Sequence, residues 1–160
     1  MSKSDKKKFV EEVHHRVIKK FPRRHVFVTG LDEIWAMDLI SYETDLKAND
    51  GYRFILCVID VFSKFAWCIP LKSKSSASVL QAVKDIILKS KRSPQKFWVD
   101  HGTEFYNADF KDWIKSQNMS MYSTYGESKS VVVERFIRTI KTMISKVFTL
   151  KNTHNWLSIL

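Results

Sequence analysis

The sequence predicts an α/β fold, a mixed five-stranded sheet with helices on both faces. Three observations point there. Short apolar runs of strand length come early and close together, at 34–41, 52–60 and 65–71. Later runs of the same kind, at 96–100 and 119–123, alternate with segments of helical periodicity. The 160 residues are enough for one domain with a real core, and 44% of them are apolar, an ordinary share for a globular chain.

The elements follow in order. Residues 1–8 are polar, lysine-rich and without periodicity, and read as disordered. Phe9 to Lys20 predicts a short amphipathic helix, broken by Phe21-Pro22-Arg23-Arg24. Ile34 to Ser41 is apolar except for Asp38, a strong strand. Glu43 to Asn49 is a polar loop, and Asp50-Gly51 is a turn signal. Tyr52 to Asp60 and Phe65 to Leu71 follow as strands, and an antiparallel pairing would set Cys57 near Cys68. Ser75-Ser76 can cap a helix to about Lys91, with Val79, Leu80, Val83, Ile86 and Ile87 at helical spacing.

Ser93-Pro94 ends that helix, and Lys96 to Asp100 is the fourth strand. A helix from Ala108 to Gln117 turns Phe110, Trp113 and Ile114 inward. Met119 to Ser123 is the fifth strand, and Thr124 to Lys129 is a polar loop. A long helix runs from about Ser130 to Phe148, and Asn155 to Leu160 opens a further helical segment. Early strands in a meander and later strands alternating with helices imply layers of helix on sheet. Three antiparallel strands followed by two parallel additions is the plan of ribonuclease-H-like folds.

Composition narrows the function. The net charge is +10 and unevenly placed. Residues 1–30 hold nine Lys/Arg against three Asp/Glu, and residues 129–151 hold six against Glu134 alone. The stretch between them is close to neutral. Two basic ends on a neutral body suggest a polyanionic partner. The apolar runs fall far short of a membrane span. The lysines at the N-terminus lead into no apolar segment, which excludes a secretory signal there. Two cysteines in apolar strands favour a reduced, intracellular chain over a disulfide scaffold. His14 and His15 are adjacent, so they share no helix face, and no cysteine pair lies near them to suggest a metal.

Three carboxylates carry the chemistry. Asp38 interrupts an apolar strand, where a lone charge is expensive unless paired, hydrogen-bonded or bound to metal. Asp100 closes the apolar run Phe97-Trp98-Val99, and Gly102 beside it leaves a turn-capping role open as well. In this fold the first and fourth strands are neighbours, so the two aspartates can lie side by side. Glu134 opens the last helix. Its apolar stripe is Val133, Phe136, Ile137, Ile140, Ile144 and Val147. Glu134, Arg138, Lys141 and Ser145 share one polar face. A surface Glu paired with the Arg four residues on would have the same spacing. Converging carboxylates without a His/Cys set suit hard cations, Mg²⁺ or Mn²⁺. Two such ions serve phosphodiester chemistry, and Arg138 and Lys141 would then meet backbone phosphates.

At this point the chain resembles the catalytic core of retroviral-type integrases and related DDE transposases, most closely the integrases of Polinton/Maverick DNA transposons. The resemblance covers about residues 10–160. It rests on Phe21 to Arg24, Trp35 to Leu39, Val58 to Trp67, Asp100 to Asn107, Ser123 to Tyr125, and Val132 to Phe136 with Arg138 to Lys141. It implies a catalytic and metal-binding triad of Asp38, Asp100 and Glu134, the last two 34 positions apart. It implies two Mg²⁺ or Mn²⁺ ions, 3′-end processing of element DNA, and strand transfer into target DNA.

DNA-binding roles are implied for Thr103, Tyr125, Lys129, Arg138 and Lys141, with Tyr125 in an active-site loop. Gly102-Thr103 would leave room for a DNA backbone. The implied partners are double-stranded DNA, as element ends and target, and further copies of the chain in a homodimer or higher multimer. No membrane is implied. The implied location is the nucleus, or the virion of a virus-like element. Residues 1–30 then become a basic extension or linker, and 31–160 an integrase core that stops inside its next helix.

Ile137 stands where many relatives carry Asn, and His101 replaces a more usual Lys, Gln or Asn. A catalytically inactive, transposon-derived DNA-binding or interaction domain is the second reading. A ribonuclease H or other nuclease of the same fold is the third.

Overall fold

The computed structural model describes residues 4–5, 26–43, 46–124 and 131–160. The expected helix from Phe9 to Lys20, and Tyr125 and Lys129, lie outside them. Ser4 and Asp5, expected within a structureless lead, have helical backbone.

Five strands form one sheet: β1 (Ile34–Ser41), β2 (Phe54–Asp60), β3 (Ala66–Leu71), β4 (Lys96–Trp98) and β5 (Ser120–Tyr122). Their order across the sheet is β3-β2-β1-β4-β5. The β1–β2 and β2–β3 pairs are antiparallel, and the β1–β4 and β4–β5 pairs are parallel. The helices are α1 (Ser76–Ser90), α2 (Ala108–Ser116) and α3 (Val131–Lys151). This is the mixed sheet that the order of apolar runs predicts.

Alternation along the strands sorts side chains into two cores. Trp35 and Met37 of β1, Leu56 and Val58 of β2 and Phe97 of β4 pack with Val79, Val83 and Ile86 of α1 and Phe110 and Ile114 of α2. Ile34, Ala36 and Ile40 of β1, Ile55, Cys57 and Ile59 of β2 and Trp98 of β4 pack with Val133 and Ile144 of α3 and with Trp156. Asp38 falls between Ala36 and Ile40 in that second set, so β1 presents it toward α3.

Local chemistry sets the ends. Ser75 caps α1 by accepting from the Ser78 amide, and Lys91 closes it in the left-handed region at φ 55°. Asn107 Oδ1 caps α2 by accepting from Phe110 N–H at 2.9 Å. Lys91 leads into Arg92, whose guanidinium bonds Asp32 and, at 3.0 Å, the buried Asp60. Arg92 also lies over the Phe65 and Trp67 rings. The end of α1, the start of β1 and the β2–β3 turn are thereby tied together.

Several elements differ in extent from expectation. β4 stops at Trp98, two residues early, because the chain past Val99 turns so that Asp100 can bond Gly102. α3 runs to Lys151, since nothing breaks it before Asn152 adopts φ 46°. The expected helix at Asn155 to Leu160 is one 3-10 turn, Leu157–Ile159. A second 3-10 turn, Leu46–Asn49, occupies part of the expected polar loop. The buried Asn49 explains both turns. Its Oδ1 accepts from the amides of Trp156 and Leu157, and its Nδ2 donates to His154 O.

Candidate active site

Asp38 is half-buried, and its Oδ1 accepts from the Leu39 amide at 2.7 Å. Across β2 it stands opposite Cys57. Glu134 is half-buried in the first turn of α3. Asp38 and Glu134 line one open cleft of about 570 Å³, whose α3 wall is made by Ile137, Arg138, Lys141, Thr142, Ser145 and Lys146. The polar face read from helical spacing is thus the face turned to the cleft. Thr142 and Lys146 extend it beyond the expected set. Thr142 could have been found, since it follows Arg138 by four and Glu134 by eight.

Asp100 reaches the same end of the sheet by another route. β1 and β4 run parallel with Ala36 opposite Trp98. Asp38 and Asp100 each lie two residues past this pair, Asp38 still within β1 and Asp100 in the turn after β4. Asp100 is not among the residues lining the cleft. Its Oδ1 accepts from the Gly102 amide at 3.0 Å, and its carbonyl accepts from Ser123 Oγ at 3.2 Å. The turn-capping role that the sequence leaves open is therefore the one its carboxylate plays here. Among the described residues, no three His, Cys, Asp or Glu side chains are gathered closely enough to hold a metal ion.

The donor chemistry nonetheless fits a hard divalent cation. Asp38 and Glu134 offer carboxylate oxygens to one cleft, Asp100 lies in the turn after β4, and the α3 wall adds cations suited to phosphate rather than competing ligands. Thr103 is exposed in the turn after Asp100, and Arg138 and Lys141 are exposed on α3. The space beside Gly102 is not open: a Cβ there would meet the Glu104 carboxylate at 2.5 Å. The Glu104 carboxylate is the movable end of a flexible side chain, so it can give way there. Tyr106 braces the loop. Its hydroxyl is 2.6 Å from Ser123 Oγ, and its ring lies against His101.

Below the cleft, Cys57 and Cys68 face each other across β2 and β3. A hydrogen bond to Cys68, burial and the nearby Asp38 carboxylate all push the Cys57 thiol well above its usual range, while that hydrogen bond lowers the Cys68 thiol. Neither Cys57 nor Cys68 is in a disulfide.

Known proteins share this architecture. The structure of the HTLV-2 integrase catalytic core domain in complex with magnesium superposes with a TM-score of 0.60 at 20% identity, over 74% of this chain and 72% of that one. The simian T-cell lymphotropic virus intasome, in complex with a PP2A regulatory subunit, gives 0.71 at 20% identity, over 90% of this chain and 52% of that one. The fold is ribonuclease-H-like and matches integrase catalytic cores.

In sequence, the chain is 33% identical over 114 residues to an uncharacterized transposon-derived protein of Caenorhabditis elegans, covering 71% of this chain. It is 27% identical over 130 residues to the Gag-Pol polyprotein of avian reticuloendotheliosis virus, covering 80% of this chain. It spans 40% of the length of the first relative and 11% of the second. Residues 28–124 match the family model for the integrase core domain. That match takes in β1 to β5 and more than half of the chain, which belongs to the integrase core domain family.

Proposed function

We propose that the chain is the catalytic core of a DDE integrase or transposase. It is a metal-dependent polynucleotidyl transferase that trims the 3′ ends of an element and joins them to target DNA. The observation that carries this reading is the cleft shared by Asp38 and Glu134 and walled by Arg138 and Lys141, with Asp100 just past the end of β4, the parallel neighbour of β1. Asp38, Asp100 and Glu134 would hold the metal. Two Mg²⁺ or Mn²⁺ ions bound there would supply Lewis-acid chemistry, activating an attacking oxygen and stabilising the leaving oxygen of a phosphodiester. Arg138 and Lys141 bind backbone phosphates and hold the scissile strand along α3. Thr103, Tyr125 and Lys129 complete the DNA contacts.

The partners on this reading are double-stranded element ends and target DNA, with a second or further copy of the chain. The element is of the Polinton type, and the site of action is the nucleus or a virion. The test is Mn²⁺-dependent nicking and strand transfer on a terminal-repeat oligonucleotide. Asp100→Asn is expected to abolish both and to leave duplex binding largely intact. Full activity in that variant would remove Asp100 from the metal site.

One observation favours a second reading, an inactive DNA-binding domain: the Asp100 carboxylate is engaged with Gly102, away from the cleft. Thermal melting with and without millimolar Mn²⁺ separates the two. A rise in melting temperature that Asp100→Asn abolishes supports catalysis, and no shift supports the inactive domain.

A further inference from the structure

Cys57 and Cys68 occupy opposite positions on β2 and β3. In an antiparallel ladder, hydrogen-bonded and non-hydrogen-bonded rungs alternate. Asp60 N–H bonds Phe65 O in this ladder. Counting inward from that bonded rung, Ile59–Ala66, Cys57–Cys68 and Ile55–Pro70 are the non-bonded rungs. Pro70 agrees, because it has no N–H to give and the ladder asks for none there. At such rungs the Cα atoms are about 4.5 Å apart and side chains approach most closely. That separation lies inside the disulfide range of roughly 4.4–6.8 Å.

The two side chains stand on one face of the sheet as direct cross-strand partners. Access differs between them. Cys57 is fully buried, beneath α3, which packs across β1 and β2. Cys68, on the edge strand, is only half-buried.

We propose that Cys57 and Cys68 form a thiol–disulfide exchange site, entered at Cys68 by a small-molecule disulfide and closed as a reversible cross-strand bond to Cys57. The steps balance. The Cys68 thiolate, its proton given to water, attacks one sulfur of the oxidant. A Cys68 mixed disulfide forms, and one small thiolate leaves and takes a proton from water. The Cys57 sulfur then attacks Cys68 Sγ. The second small thiolate leaves with the Cys57 proton. Two protein thiols are oxidised, and one small disulfide is reduced to two thiols. The second step needs no solvent at Cys57, because its target is already across the rung. The inference is independent of the catalytic reading above.

The test treats the folded protein with oxidised glutathione and maps the product by mass without reduction. The expected product is lighter than the reduced chain by two hydrogens and links the peptides holding Cys57 and Cys68. Reduced glutathione should reverse it. Cys57→Ser should stop at one glutathione on Cys68, and folded Cys68→Ser should stay unmodified. The oxidised protein should melt at a higher temperature than the reduced one. A wild-type product that ends as a glutathione adduct on Cys68 would overturn the proposal. So would inertness of the folded wild type under conditions where urea-unfolded protein reacts, or a lower melting temperature after oxidation.

Discussion

Arg92 and Asp60 show how much a single pair of side chains holds. Asp60 is fully buried. Burial alone would push its carboxyl up, but the Ser63 hydroxyl and amide, the Phe62 amide and the Arg92 guanidinium hold it below the ordinary aspartate range. Arg92→Ala removes the cation and leaves that charge uncompensated, an expected loss of about 3 kcal/mol in urea unfolding. The pH dependence has a definite sign. A lowered folded-state value contributes stability above the unfolded value of about 3.9, and that contribution is lost as pH falls through the folded value. Asp60→Asn should therefore be less stable than wild type at neutral pH, with the gap closing only below about pH 4. A gap that persisted unchanged into strong acid would show that the charge on Asp60 is not what stabilises it.

At the scale of elements, α3 does two jobs with two faces. Val133 and Ile144 bury against the sheet, while Glu134, Arg138 and Lys141 face the cleft. Arg138 and Lys141 are exposed, so their neutralisation should leave folding nearly unchanged. Replacing both by Ala is expected to weaken duplex binding across all sequences and to reduce the salt slope by about two. An unchanged slope, read from fluorescence anisotropy over a salt series, would mean that this face does not meet phosphate.

The faces of α3 were legible because apolar and polar positions repeat at helical spacing over its whole length. The brevity of β4 was not. Phe97-Trp98-Val99-Asp100 reads as one run, but the chain leaves the ladder past Val99, where the Asp100 carboxylate accepts from Gly102 N–H. The orientation of Asp100 was equally hidden, since a strand-end aspartate before a glycine suits a metal ligand and a turn cap alike.

For the whole molecule, the strand order and the two-sided core followed from the order of apolar runs and helical segments. What the sequence could not display is contact between remote polar groups. Asn49 meets Trp156 and Leu157 more than a hundred positions away, and Arg92 meets Asp32 sixty positions away. Neither has a local pattern to betray it. Asn49→Ala would leave buried backbone amides without their acceptor, an expected loss of roughly 3 kcal/mol by thermal or urea denaturation. Hydrogen exchange at Trp156 should accelerate with it. Unchanged protection there would show that the C-terminal turn holds without Asn49.

The position of β1 also orders events in time. Its pairing with β2 closes a short loop, whereas its pairing with β4 brings together residues more than sixty positions apart. Long closures carry the larger entropic cost and slow folding. The meander of β1, β2 and β3 is therefore expected to form first, and Asp100 to approach β1 only when β4 docks. Glu134 arrives later still along the chain, on α3. A nascent or half-folded chain holds these carboxylates apart, so whatever chemistry they share must wait until the core is complete.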